Sequence, residues 1–343
     1  MHKILVTGGC GYIGSHTAVD LLENGYDVVV VDNLANADAD ILERIAKITG
    51  RKPIFYPTDL RDKEALERVF QAHPDIAGII HFAAFKMVGE SVENPLEYFD
   101  NNIVGLLNLL FCMRDYRVGS LIFSSSCTVY GNTTALPVTE QTPLQDAASP
   151  YGYTKQVGER MIADLLVACP EMKAILLRYF NPAGAHESAI IGEDARVKAQ
   201  NLVPVITETA IGKRSSFQVF GDDYATRDGS CIRDYIHIMD LARAHTLALE
   251  YQLNGRQPEQ LDAFNLGIGQ GVTVLEAIQA FERVTGLTLN YQTGPRRAGD
   301  VEAIYANYSK AHNLLGWEPK RSIDDIMRTA WAWEKARTEQ KSL

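Results

Sequence analysis

The stretch Thr7-Gly8-Gly9-Cys10-Gly11-Tyr12-Ile13-Gly14 decides the fold. It is entered from Ile4-Leu5-Val6, a short apolar run suited to a buried strand. It leads into Ala18, Leu21 and Leu22 at helical spacing, with Gly25 placed to close that helix. Strand, glycine turn and helix in that order form a pyrophosphate cradle. Gly8 permits the tight turn, Gly11 lets main-chain N–H groups approach the phosphates, and Gly14 lets the helix come close with its N-terminal dipole facing the anion. The spacing is G-x-x-G-x-x-G, and a glycine triplet alone is more often only a turn. Context decides for the cradle. Val28-Val29-Val30-Val31 follows as a second buried strand and ends at Asp32, where a carboxylate can accept hydrogen bonds from adenosine ribose hydroxyls and repel a 2′-phosphate. The expected dinucleotide is NAD, not NADP.

Outward from this unit, strand-like runs alternate with helical patterns: Ile54-Phe55-Tyr56, Gly78 to Phe82, Leu121 to Ser124, and Ala174 to Arg178. Such alternation predicts an α/β fold with a Rossmann-like, doubly wound parallel sheet. Ligands of these sheets bind beyond the carboxyl ends of the strands. Polar or unusual groups follow the strands there: Asp32-Asn33, Asp59, Ala83-Ala84-Phe85-Lys86, Ser124-Ser125-Ser126 and Asn181-Pro182. After about residue 180 the rhythm shifts to Pro- and Gly-punctuated loops. The expected division is a nucleotide-binding domain over 1–180 and a smaller α/β C-terminal substrate-binding domain over 181–343, with some segments crossing between them.

The 343-residue length fits two domains, since one core usually serves roughly 250–300 residues. A hydrophobic fraction of 46% with 22% charged residues is ordinary for a soluble enzyme, and no run of about 18 apolar residues occurs. A net charge of −10 disfavours nucleic-acid or anionic-membrane partners and requires an anionic substrate to be held by specific arginines. The five cysteines are scattered, without C-x-x-C, and the eight histidines form no metal motif. Reduced thiols, a cytoplasmic location and no metal are expected.

The chemical signal is Tyr151-Gly152-Tyr153-Thr154-Lys155 after Pro150, with Ser124-Ser125-Ser126 upstream. On a helix Tyr151 and Lys155 share a face and Tyr153 points elsewhere. A phenol is a poor base at its ordinary pKa of about 10. A nearby ammonium and a positive nicotinamide ring favour the phenolate, so Tyr151 can take a proton from a substrate hydroxyl as hydride leaves the same carbon, with a serine orienting the oxygen.

These segments resemble the extended short-chain dehydrogenase/reductase family, and specifically its UDP-glucose 4-epimerase branch, over essentially the whole chain. The similarity is carried by TGGCGYIGSH (7–16), VDNLAN (31–36), HFAAFKMVGESVENPLEYFDNN (81–102), FSSSCTVYG (123–131), SPYGYTK (149–155), LRYFNPAGAHES (177–188), RDYIHIMDLA (233–242) and RRAGD (296–300). The resemblance implies reversible NAD-dependent 4-epimerisation of UDP-glucose and UDP-galactose through a 4-keto intermediate, commonly in a homodimer. It implies an NAD site lined by Tyr12, Ile13, Asp32, Asn33, Asp59, Leu60, Lys86, Asn101 and Ser124, with Phe82, Ala83 and Ala84 beneath the cofactor. Tyr151 becomes the base, Lys155 meets the nicotinamide ribose, Ser126 the sugar oxygen, and Phe180 lies near the nicotinamide. Lys86, Asn181, Asn201, Phe220, Arg233, Arg297 and Asp300 are placed around the UDP-sugar, and Ile304 beside its C2 substituent. Taken singly either arginine reads as a surface ion pair, and Arg296 is barely separable from Arg297.

Departures bear on the chemistry. Cys127 and Thr128 stand where related 4,6-dehydratases carry an Asp-Glu pair, which argues against water elimination. Cys10, Ala189 and Gln200 replace usual small residue, glycine and asparagine, and are expected to alter packing more than chemistry. Ile304 leaves open 4-epimerisation of UDP-GlcNAc/UDP-GalNAc or UDP-pentoses on the same machinery. A noncatalytic NAD-binding regulator is disfavoured by the intact Tyr151, Lys155 and Ser126. Dimer contacts are expected on helices near 95–115 and 150–168, although Leu106, Leu107, Leu109 and Leu110 could equally be core.

Overall fold

Alternate residues of each apolar strand face opposite sides of one sheet, and that alternation builds two cores. The computed structural model describes residues 2–194, 199–297 and 301–341. The strands are β1 (Lys3–Thr7), β2 (Asp27–Asp32), β3 (Ile54–Pro57), β4 (Ile76–His81), β5 (Ser120–Ser126), β6 (Lys173–Tyr179), β7 (Asn181–Ala183), β8 (Phe217–Phe220), β9 (Ile232–Arg233), β10 (Tyr235–His237), β11 (Leu261–Leu266), β12 (Val272–Thr273) and β13 (Tyr291–Gly294). The helices are α1 (Tyr12–Glu23), α2 (Asp40–Thr49), α3 (Lys63–Ala72), α4 (Val88–Glu93), α5 (Pro95–Phe99), α6 (Gly105–Asp115), α7 (Pro150–Ala168), α8 (Leu202–Ala210), α9 (Ile238–Leu253), α10 (Val274–Thr285), α11 (Ser309–Leu315) and α12 (Ile323–Lys341).

Seven strands form a parallel sheet in the order β11-β6-β5-β4-β1-β2-β3. The direction of winding reverses between β1 and β4, which opens a crevice at their carboxyl ends. Ile4, Val6, Val28, Val30, Ile122 and Leu177 pack on one face with α1, α2 and α9. Leu5, Val29, Val31, Leu121, Phe123 and Leu176 pack on the other with α3, α6 and α7. The alternating-layer fold is therefore as expected.

The chain does not leave the sheet for good after β6. Helix α9 covers one face and β11 pairs with β6 in parallel, Leu261 opposite Ala174 through Leu266 opposite Tyr179. A third core joins α8, α10 and α12 around Phe217, Ile278, Phe281, Ile326 and Met327. A small fourth cluster gathers Val129, Tyr130, Val138, Phe180, Ile304 and Ala306 from four separate segments.

Leu106, Leu109 and Leu110 are core, because they line the inner side of α6, whereas Leu107 is exposed. Ala189 differs from the expectation of a packing change: its φ is 55°, a left-handed conformation that costs an L-residue about 1 kcal/mol, so the strain is in the main chain. Among the described residues no helix is long and apolar enough to cross a membrane, and no group of three or more His, Cys, Asp or Glu could hold a metal.

Candidate active site

The glycine loop is shaped by absences of Cβ. Gly8 takes φ +68°, and a Cβ there would lie 2.7 Å from the Ala83 nitrogen; at Gly14 it would lie 2.2 Å from the Gly8 carbonyl oxygen. Gly14 thus packs against the loop itself. No side chain caps α1, so its first-turn N–H groups face the crevice. Phe82 N–H donates to the Thr7 carbonyl at 3.0 Å, which sets Phe82, Ala83 and Ala84 beside the loop. Cys10 N–H donates to the Asp32 carboxylate at 3.0 Å and Leu34 N–H at 2.9 Å, fixing that carboxylate at the end of β2.

Further along the crevice, Asn33 Nδ2 donates to Asp59 at 2.9 Å, and Arg61 hydrogen-bonds Asp59 through its side chain and main chain. Hydrogen bonds from Arg61 hold the Asp59 carboxyl well below the usual carboxylate range. Leu60 is buried beside Gly105. Asn101 donates to Asn102 at 2.9 Å; Asn102 bridges Phe85 N–H (2.7 Å), the Phe85 carbonyl (3.0 Å) and Thr154 Oγ1 (3.0 Å). Asn102 therefore ties the loop after β4 to the helix carrying Tyr151. Lys86 pairs with Glu193 at 3.2 Å, Asn201 Nδ2 donates to the same carboxylate at 3.3 Å, and Tyr12 OH donates to the Gly184 carbonyl at 2.6 Å.

At the chemical end, Ser149 caps α7 through Gly152 N–H at 3.2 Å, and Pro150 begins the helix as expected. Tyr151 and Lys155 are buried on one face, while Tyr153 is exposed. Lys155 Nζ donates to the Ser124 carbonyl at 2.7 Å and lies 5.9 Å from the Tyr151 ring centroid. Ser124 Oγ hydrogen-bonds Tyr179 OH, and Ser126 Oγ accepts from Thr128 N–H at 3.2 Å. Burial pushes the Tyr151 phenol up to about 12, with a hydrogen bond to Ser126 opposing. Burial pulls Lys155 down to about 8, with the Glu159 carboxylate opposing. The expected lowering of the phenol is thus not built into the chain alone, because burial penalises the phenolate more than Ser126 favours it. The compensating positive charge has to arrive with what the crevice binds.

Below this face sits a buried ion pair. Arg178 donates to Glu159 at 2.6 and 2.9 Å, Ser125 Oγ donates to Glu159 at 2.6 Å, and Arg178 reaches Tyr130 OH at 3.2 Å. Tyr130 OH donates to Asn265 at 2.7 Å. The pair joins α7, β5, β6 and β11 directly under Tyr151 and Lys155. Its signals in the sequence were Glu159, one turn beyond Lys155, and a charge inside the apolar run of β6.

On the other side of the crevice, Phe180 and Ile304 are buried together in the fourth cluster, with Cys127 against it. Asn181 N–H donates to the Asp234 carbonyl at 2.9 Å. Arg233 donates to the Ile232 and Val301 carbonyls, each at 2.8 Å. Arg297 lies 5.5 Å over Phe220, whereas Arg296 is held by Asp223 at 2.6 Å and stacks over Tyr224. Arg296 thus binds Asp223 and Tyr224 within the protein. Asp300 lies outside the described residues.

The chain matches the family model described as GDP-mannose 4,6 dehydratase over residues 5–330. A UDP-glucose 4-epimerase of Erwinia amylovora is 48% identical over 97% of this chain and 97% of its own length. Among solved structures, UDP-glucose-4-epimerase from Stenotrophomonas maltophila, with bound NAD and formylated UDP-arabinopyranose, superposes with a TM-score of 0.95 at 46% identity, covering 99% of this chain and 100% of that one. UDP-glucose 4-epimerase from Bifidobacterium longum, in complex with NAD+ and UDP, gives 0.93 at 45%, covering 98% and 99%.

Proposed function

The chain belongs to the UDP-glucose 4-epimerase family, and from that premise we propose how its residues perform the NAD-dependent interconversion of UDP-glucose and UDP-galactose. The observation that carries this reading is the buried Tyr151–Lys155 face, with Ser126 at the end of β5 favouring the phenolate. The cradle fits NAD: a Cβ at Gly8 or Gly14 would fill it, α1 presents its uncapped N-terminus, and Asp32 ends β2. NAD, when bound, supplies a reversible hydride acceptor beside C4 of the hexose and a positive ring that favours the Tyr151 phenolate.

Asp32 receives the adenosine ribose hydroxyls, while Asn33, Asp59 and Leu60 line the adenine side. Lys155 holds the nicotinamide ribose, keeping its ammonium beside the phenol. Tyr151 takes the proton from the C4 hydroxyl and later returns it to the same oxygen, and Ser126 orients that oxygen throughout. Between those steps the 4-keto sugar must turn over within the site. The grip therefore falls on UDP, through Asn181, Asn201, Arg233 and Arg297, whose guanidinium groups suit a pyrophosphate in a chain of net charge −10.

A second substrate reading rests on the sugar wall. Buried Ile304 takes space beside C2 and disfavours an N-acetyl group, whereas a UDP-pentose fits, as in the relative with formylated UDP-arabinopyranose. A panel of UDP-galactose, UDP-GalNAc and UDP-arabinose tests both readings. Turnover led by UDP-galactose supports the first, and turnover confined to the acetylated sugar contradicts both.

The working unit is a homodimer through α5, α6 and α7, where Leu96, Leu107 and Tyr153 are exposed; a monomeric mass by light scattering would remove that element. Five unpaired cysteines fit a reducing cytoplasm.

A further inference from the structure

Asp234 directly follows Arg233, and its side chain is fully buried. Its carboxylate accepts Ile268 N–H at 2.7 Å, Ala306 N–H at 3.0 Å and Gly269 N–H at 3.4 Å. Its own carbonyl accepts Asn181 N–H at 2.9 Å. Gly267 is shaped to this carboxylate, since a Cβ there would fall 2.2 Å from Oδ2. No cation among the described residues pairs with it, and burial pushes the carboxyl up to about 6.

A buried carboxylate served only by main-chain N–H groups is an expensive way to close a loop, and such groups are retained where they fix a geometry. The segments joined at Asp234 carry the residues facing the UDP-sugar. Asn181 is on one, and Arg233 precedes Asp234 itself. Ile304 is two residues from Ala306, on a segment that also bonds to Ile232, Ile304 N–H meeting the Ile232 carbonyl at 3.2 Å. The nucleotide cradle shares none of these bonds.

We infer that Asp234 is a positioning residue for UDP-sugar binding, holding Asn181, Arg233 and the Ile304 wall in one arrangement through main-chain N–H groups. The inference rests on the epimerase reading. An asparagine at this position offers one acceptor instead of two and turns an NH2 toward an N–H donor, so the 268–269 loop and the segment of Ala306 and Ile304 lose their common anchor to the residue that follows Arg233 and accepts Asn181 N–H through its carbonyl. The cofactor cradle is left unchanged.

The test uses NAD-loaded protein carrying Asp234→Asn, with Gly267→Ala as a second variant that crowds the same carboxylate from the loop side. UDP affinity is measured by calorimetry, KM and kcat with UDP-galactose, and NAD content after denaturation. We expect the UDP dissociation constant and KM to rise together by about 10-fold or more, kcat to stay within about 3-fold, and NAD content to remain at the wild-type level. UDP affinity within about 2-fold of wild type in either folded variant overturns the inference, as does loss of NAD in step with UDP. Wild-type protein that binds UDP yet leaves UDP-galactose unchanged overturns the epimerase reading alone, because the dissociation constant still reports on Asp234.

Discussion

Between β1 and α1 the main chain itself makes the site: Gly8 and Gly14 leave the space and the start of α1 supplies the N–H groups, all within eight residues. Around Asp234 the opposite holds, for one carboxylate draws main-chain groups from residues 268, 269 and 306 together while the carbonyl of the same residue accepts Asn181 N–H, and the result is a wall. The first grip is local, and the second is assembled across 125 residues of chain. A recycled cofactor and an exchanging substrate call for such a difference: one is held by a preformed cradle, the other by a wall that must grip UDP while a hexose turns.

The largest effect should come from a change that touches neither grip. Tyr151→Phe should lower kcat by about 10²–10⁴-fold, with NAD content and UDP affinity kept, because only the proton transfer is lost. Steady-state rates beside NAD and UDP binding check this, and unimpaired turnover would remove Tyr151 from the mechanism.

Next comes the ion pair under the Tyr151–Lys155 face. Glu159→Gln leaves Arg178 buried without its counter-charge and should cost about 3–5 kcal/mol of stability. Urea unfolding checks it, and a loss below about 1 kcal/mol would mean that water reaches the pair.

The second grip should betray itself by pH. The Asp234 carboxyl is raised from 3.8 to about 6 by burial, so between those values the folded protein holds a proton that the unfolded chain has released. Its stabilisation is full below about pH 4 and lost as pH rises through 6, amounting to about 3 kcal/mol. Asp234→Asn should remove that slope, so wild type should lose stability relative to the variant between about pH 4 and pH 7. Parallel unfolding curves would show a carboxyl with an ordinary pKa.

The first grip should break at a single methyl. Gly14→Ala drives a Cβ toward the Gly8 carbonyl and should cost about 1–3 kcal/mol, with NAD lost in preference to UDP. If UDP affinity fell first, the two regions would not be separable as argued.

The same contrast explains what was legible in the sequence. The glycine loop, Asp32 and the Tyr151–Lys155 face are short-range patterns whose spacing alone sets their geometry, so they could be read directly. The return of α9 and β11 to the first sheet could not, because their apolar faces say only that something must cover them. Glu159–Arg178 and Asp234 were visible as charges within apolar surroundings, but their partners lie tens of residues away. The pairing of Arg296 with Asp223 was hidden for the same reason, since the two are 73 residues apart.

The measurement that bears most directly on the central claim is conversion of UDP-galactose by purified, extensively dialysed protein with no NAD added, following UDP-glucose by a separation that resolves the two. The account predicts conversion, since the cradle retains its cofactor and Tyr151 completes the site. No conversion, persisting when NAD is supplied, would contradict it.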